Sequence, residues 1–303
     1  MANILCAGIA AVDEVFRVRA VPMPDTKVAA SEFITLAGGC AASGALAIAR
    51  LGGKAYFAGP LGGPAGSDVV GDRLVDSLQR DGVECIGCVR VCGARTTVSA
   101  ILVDDRGDRT IATFRDYRLD EATVEDPDWL VSGAEAVLVD NCFPNFVVPI
   151  CRAAMAHHIP VVVDADHPAD DRQPLFKAAT HVIFSADCLR ATSRVDDLAA
   201  GLAHMGKLTD AFLAVTNGPG PVLWHGGDCA MIRKMPVFAI NAVDTLGAGD
   251  VFHGAFVLAL VEGRSAERAL RFAAAAAGLK CSRFGGSSKA PRRAEVEALL
   301  AQP

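Results

Sequence analysis

The sequence predicts an α/β fold: a three-layer α/β/α sandwich with a mostly parallel central sheet and a small β-sheet lid. Three observations predict it. Short apolar runs alternate with helical segments through most of the chain, as in a parallel sheet covered on both faces. Between Val83 and Phe114 the alternation gives way to β-rich runs joined by turns, which suits an added antiparallel subdomain. No linker, repeat or low-complexity segment divides the 303 residues. One domain over 1–303 is therefore expected, with lid segments at about 16–36 and 89–117.

The elements follow in order. Ile4 to Val12 is an apolar run broken only by Gly8, and reads as one buried strand ending at Asp13. Phe16 to Val28 contains Pro22 and Pro24 and is an excursion. Gly38-Gly39 opens a helical stretch, Cys40 to Leu51, which Gly52-Gly53 ends. Tyr56–Leu61 is a strand, and Asp68–Asp81 an amphipathic helix closed by Gly82. The lid runs are Glu84–Val91, Thr96–Val103 and Thr110–Phe114. Then come strand Ala136–Asp140, a helix to His158, and strands Pro160–Asp164, Thr180–Phe184 and Phe212–Thr216. Ligands of such sheets sit at the carboxyl ends of strands, where Asp13, Asp140, Asp164 and Thr216 fall.

Composition narrows the function. With 29 basic and 35 acidic residues the net charge is −6, which argues against a nucleic-acid partner. The longest Ala-rich stretch, Arg271 to Leu279, falls short of the ~20 residues that a bilayer requires, so no membrane partner is expected. The start, MANILCAGIAAVDEVF, lacks the charged region of a signal peptide. The ten Cys then suit reduced thiols in a cytoplasmic protein. Cys85-x-x-Cys88 has no second ligand pair for zinc and reads as two small hydrophobes.

Asp244-Thr245-Leu246-Gly247-Ala248-Gly249-Asp250 carries the chemistry. Small residues let backbone N–H groups crowd an anion, and the helix that starts there adds its positive end. Asp250, in the first turn beside the anion, is placed to take a proton from an attacking hydroxyl. An anion hole next to a base describes phosphoryl transfer. A Gly-rich loop with a capping Asp is the bland alternative. No Walker A sequence, complete G-x-G-x-x-G or G-x-S-x-G elbow occurs.

Those residues resemble the D-T-x-G-A-G-D signature of the ribokinase-like (PfkB) carbohydrate kinases. Gly38-Gly39-Cys40-Ala41-Ala42-Ser43 with Ala49-Arg50-Leu51-Gly52 resembles that family's N-terminal signature. The likeness implies a ribokinase-like fold and ATP-dependent phosphorylation of a sugar hydroxyl, with Mg2+ as cofactor. It implies Asp250 as base and Gly247, Ala248 and Gly249 as anion hole. Asp13, Gly38, Gly39 and Ser43 match the sugar side. Ser185 and the Thr216 to Gly220 loop, with Gly218 and Gly220, match the nucleotide side. Ala277 and Cys281 lie on the helix that flanks the adenine.

The chain also departs from the family. Ser43 stands where Asn is usual, and Cys40 where ribokinases often carry Lys. The N-x-x-E motif tied to magnesium falls at Ser185-Ala186-Asp187-Cys188, so Asp164 and Asp166 are the Mg2+ candidates. Asp244 matches the site of a monovalent cation such as K+, which Lys289 could replace. The run from Asp250 to Ala255, with Leu279 to Arg283, resembles the branch that holds the sulfofructose kinases. Lys27, Arg115 and Arg118 are candidates for an anionic group on such a sugar. His157-His158 suits a helix C-terminus, and His253 a packing role. A homodimer through the lids is expected from their strand edges. A nucleoside kinase of the same fold, or a regulator that binds without transferring phosphate, stays open.

Overall fold

The computed structural model describes residues 1–225 and 231–302. The chain order is β1 (Asn3–Ala7), β2 (Ala11–Arg17), β3 (Glu32–Gly38), α1 (Cys40–Arg50), β4 (Lys54–Gly63), α2 (Val69–Arg80) and β5 (Val83–Cys92). Then come β6 (Thr97–Val103), β7 (Arg109–Phe114), α3 (Pro127–Val131), β8 (Ala136–Asp140), α4 (Pro144–Ala156), β9 (Val161–Ala165) and α5 (Pro174–Lys177). β10 (His181–Ser185), α6 (Ala186–Ser193), α7 (Leu198–Met205), β11 (Phe212–Thr216), β12 (Val222–His225) and β13 (Ile232–Met235) follow. The chain closes with α8 (Ala248–Val261), α9 (Ala266–Cys281) and α10 (Arg293–Leu300).

Nine strands form one sheet in the order β13-β12-β11-β10-β9-β8-β1-β4-β5. From β5 to β11 neighbours run parallel, and β12 and β13 add antiparallel at one edge. Successive strand side chains point to opposite faces. On β1, Ile4 and Cys6 enter one core with α1, α2, α8 and α9. Leu5 and Ala7 enter the other, with α3 to α7. Helices therefore cover both faces, as the ribokinase-like sandwich requires.

The four-stranded second sheet has the order β3-β2-β6-β7. Val15, Ile101 and Val103 on its inner face pack on Leu246, just before Gly247 to Gly249. β7 is exposed along its whole length, and Phe33, Ile111 and Phe114 are exposed large apolar residues of this sheet.

The structure corrects three readings. Ile4 to Val12 is two strands, not one: β1 lies in the large sheet and β2 in the small one. Gly8, at φ 148°, makes the crossing, and a Cβ there would lie 2.1 Å from Asp140 Oδ2. Asp13 consequently sits inside a strand of the small sheet. The run at Glu84–Val91 belongs to β5, the edge strand of the large sheet, paired parallel to β4 as far as Cys92. Its half-exposed residues mimic a hairpin because one face alone is covered, so the second small-sheet segment starts at Thr97 and not at Val89. β12 and β13 were not anticipated. The nine described cysteines are free thiols, and Cys229 lies outside the described residues. No described helix is long and apolar enough to cross a membrane.

Candidate active site

The site forms where strand ends of the large sheet meet the small sheet and the first turns of α1 and α8. Gly247 caps α8 in a left-handed conformation, φ 74°. Glycine adopts this without penalty, and a Cβ would lie 2.3 Å from Ser287 Oγ. A Cβ on Gly249 would meet nothing within 4 Å, so protein packing does not demand that glycine. The N–H groups of a first helical turn have no intrahelical partner. Here Ala248 N donates to the Thr245 carbonyl at 3.3 Å, and the space over Gly249 is open.

Asp250 follows in that turn. Burial raises its carboxyl to about 8, helped by the charges of Asp164, Asp166 and Asp13. Asp164, at the end of β9, is 3% exposed, and its carboxyl is raised well above the ordinary range by burial and then by Asp166 and Asp140. Three carboxylates thus crowd one cleft. His253, one turn along α8, offers Nδ1 to Asp164 Oδ2 at 3.2 Å and to the Gly249 carbonyl at 2.7 Å, with Nε2 3.2 Å from the Ile183 carbonyl. Reading His253 as helix packing therefore missed its polar contacts.

The opposite wall comes from the small sheet. Asp13 is buried, and burial raises its carboxyl to about 6 against a hydrogen bond from Ser99. Its neighbour across the ladder is Leu36, and a Cβ on Gly38 would lie 1.9 Å from Asp13 Oδ2. Gly39, at φ 88°, caps α1, which carries Cys40 and the buried Ser43. Asp140 ties these pieces together. Its Oδ2 accepts from Ile9 N at 2.7 Å and Ala41 N at 3.1 Å, and its Oδ1 from Cys142 N at 3.0 Å. The only sequence signal for this role was an acidic residue at a strand end.

Ser185 and Thr216 are register partners at the ends of β10 and β11. Ser185 also caps α6 by accepting from Cys188 N. Gly218, at φ 52°, and Gly220 shape the loop after Thr216. Ala277 and Cys281 lie on α9, and the Cys281 carbonyl accepts from Val243 N and Asp244 N, which fixes the start of the motif. Asp187 points away, with its side chain 99% exposed and paired to Arg190.

Asp244 is fully buried. Burial would raise its carboxyl, but Lys280 and the N–H groups of Leu246, Gly285 and Gly286 lower it. Lys280 Nζ lies 3.1 Å from Asp244 Oδ2 and donates to the Asp244 carbonyl at 2.8 Å. Lys280, and not the exposed Lys289, therefore carries the ammonium at this position. Lys289 belongs to the loop whose Gly285 and Gly286 N–H groups donate to Asp244, whereas Lys280 reaches in from the buried side of α9.

Of the basic candidates, Arg115 comes nearest the cleft, donating to the Cys142 carbonyl at 3.4 Å. Lys27 is exposed in the irregular segment between β2 and β3. Arg115 pairs with Asp120 at 2.6 Å and lies over the Phe143 ring. Arg118 is held by Asp116 at 2.7 Å, and His157 by Asp128 at 2.9 Å. Cys85 and Cys88 have no third ligand grouped beside them among the described residues.

The profile of the pfkB family carbohydrate kinases matches residues 1–293. Ribokinase of Bacillus subtilis (strain 168) is 29% identical over 306 residues, covering 99% of this chain and 100% of that protein. A solved chain from Agrobacterium tumefaciens, described as a candidate ribokinase, superposes with TM-score 0.93 at 34% identity, covering 99% of this chain and 97% of its own. Arabidopsis thaliana ribokinase, solved with ribose and ATP, gives TM-score 0.83 at 25% identity over the full length of both chains. This chain belongs to the pfkB family of carbohydrate kinases.

Proposed function

We propose that the protein transfers the γ-phosphoryl group of ATP to a hydroxyl of a sugar or sugar derivative, with Asp250 as general base. The observation that carries this reading is the succession Gly247, Ala248, Gly249, Asp250: a first helical turn with open space over Gly249, then a carboxyl held up at about 8. Such a base is poised near the working pH. Asp13, with Gly38, Gly39 and Ser43, orients the acceptor. Gly247 to Gly249 neutralise the charge of the transferring phosphoryl group, where positioning and electrostatics supply most of the rate. The Thr216 to Gly220 loop, Ser185, Ala277 and Cys281 flank the nucleotide. The small sheet closes over the acceptor and excludes water.

The crowding of Asp164, Asp166 and Asp250 fits a divalent cation, because the charge of Asp166 raises the Asp164 carboxyl and both raise that of Asp250. Asp164 and Asp166 would hold Mg2+, through water where needed. Mg2+, when bound, supplies charge neutralisation for the phosphates. At Asp244 the buried Lys280 ammonium takes the place of a monovalent cation. An ADP-release screen over ketohexoses, hexose phosphates, sulfosugars, ribose and nucleosides tests the reading. Turnover with a sugar supports it, whereas ATP binding without transfer to any acceptor contradicts it.

A further inference from the structure

A thiol faces the carboxylates of the acceptor cleft. Cys40 Sγ, one Asp164 carboxylate oxygen and one Asp250 carboxylate oxygen all lie within 4.8 Å of one another. They arrive from α1, β9 and α8, so the cluster is built by the tertiary fold. Asp164 is nine-tenths buried, and its polar neighbour is His253 Nδ1 at Oδ2, a nitrogen that lies closer to the Gly249 carbonyl. A buried carboxylate and a half-buried one therefore face a thiol. Cys142, whose thiol helps raise that of Cys40, has its own Sγ 3.3 Å from His167 Nδ1.

Mg2+ binds oxygen and keeps several waters, so it has no use for Cys40. A thiolate selects a softer ion. Zn2+ takes S at about 2.3 Å and O at about 2.0–2.2 Å, which sets tetrahedral donors roughly 3.5 Å apart. The three donors, no more than 4.8 Å apart, reach this by drawing together by about 1.3 Å or less, a side-chain adjustment. We propose that Cys40, Asp164 and Asp250 form a site for a thiophilic divalent cation of the Zn2+ class, with its fourth position open towards the acceptor. Binding forms an S–metal bond and releases the Cys40 thiol proton to solvent. It also occupies the Asp250 lone pair that would take the acceptor proton, so the ion inhibits transfer. Inhibition rests on Asp250 being the base; binding does not.

The test uses the full-length, metal-free protein without nucleotide, titrated with Cd2+ while thiolate-to-metal charge-transfer absorption is followed. Zn2+ is then added as competitor. The expected result is one equivalent of absorption that Zn2+ displaces and that Cys40→Ser abolishes, with circular dichroism showing the variant folded. Asp164→Asn weakens binding by about tenfold or more. In a turnover assay at fixed Mg2+ and ATP, Zn2+ inhibits the wild type at concentrations at least about tenfold lower than it does Cys40→Ser. No absorption in the wild type, or full absorption retained in Cys40→Ser, overturns the site. Cys40-dependent absorption with turnover insensitive to Zn2+ overturns the inhibitory role and leaves the kinase reading to its own test.

Discussion

Lys280 Nζ sits 3.1 Å from Asp244 Oδ2, with both side chains fully buried. The same nitrogen donates to the Asp244 carbonyl, so the ammonium is bound by two oxygens of one residue. Removing one member of a buried pair leaves the other charge uncompensated, at a cost of about 3–5 kcal/mol. Lys280→Met is expected to lose about that much stability in a denaturant titration. With the position already filled by a cation, wild-type turnover in K+-free buffer should match turnover in K+ within about twofold. A large K+ activation would show that the ammonium does not do an ion's work.

The pH dependence follows from Asp250. The base must be ionised, and burial holds its carboxyl up at about 8. The acid limb of kcat/KM for the acceptor should therefore lie well above the ordinary carboxylate range, and rising Mg2+ should move it down. Stability has the opposite sign. A raised carboxyl favours the fold while protonated, and that contribution is lost as pH climbs from the ordinary value through about 8. Asp250→Asn stays neutral, so its stability relative to wild type should grow over that window. Thermal unfolding at a series of pH values measures this.

Gly249 and Gly247 separate packing from function. Alanine at Gly249 meets open space and favours a helix by about 0.8–1 kcal/mol. Gly249→Ala should keep or raise the melting temperature yet lower kcat, because its methyl fills the anion's seat. Gly247→Ala meets Ser287 and a positive φ, so it should lower stability and kcat together. Equal kcat for Gly249→Ala and wild type would remove the anion hole from this turn.

Gly38 tests the proposed acceptor side separately from the nucleotide side. A methyl group there runs into Asp13. Gly38→Ala should raise the KM for the acceptor by about tenfold or more while leaving the KM for ATP close to wild type. A matching rise in both would mean that Asp13 does not define the acceptor site.

Some of this was legible in the sequence because it is local. Gly247 to Asp250 is a contiguous run at a helix start, and the strands that carry Asp140, Asp164 and Thr216 are short apolar runs ending in polar residues. The break between β1 and β2 was hidden, because Gly8-Ile9-Ala10 is as apolar as the strands it joins. Lys280 and His253 lie inside apolar helices, where periodicity reads them as packing. Their polar contacts come from Asp244, Asp164 and Ile183, residues distant in sequence. Asp140 acts through backbone N–H groups that leave no pattern of residue types.

The exposed apolar residues Phe33, Ile111 and Phe114 of the small sheet carry the expectation of a homodimer. Sedimentation at micromolar concentration should give twice the mass of one chain. Charged substitutions at Ile111 and Phe114 should return the monomer.

The central claim is that Asp250 takes the acceptor's proton. Its most direct measurement is ADP release by Asp250→Asn with a sugar accepted by the wild type, alongside ATP affinity for both proteins. The expected result is a loss in kcat of about 10²–10⁴-fold with ATP affinity kept within a few-fold. Turnover near the wild-type rate would contradict it.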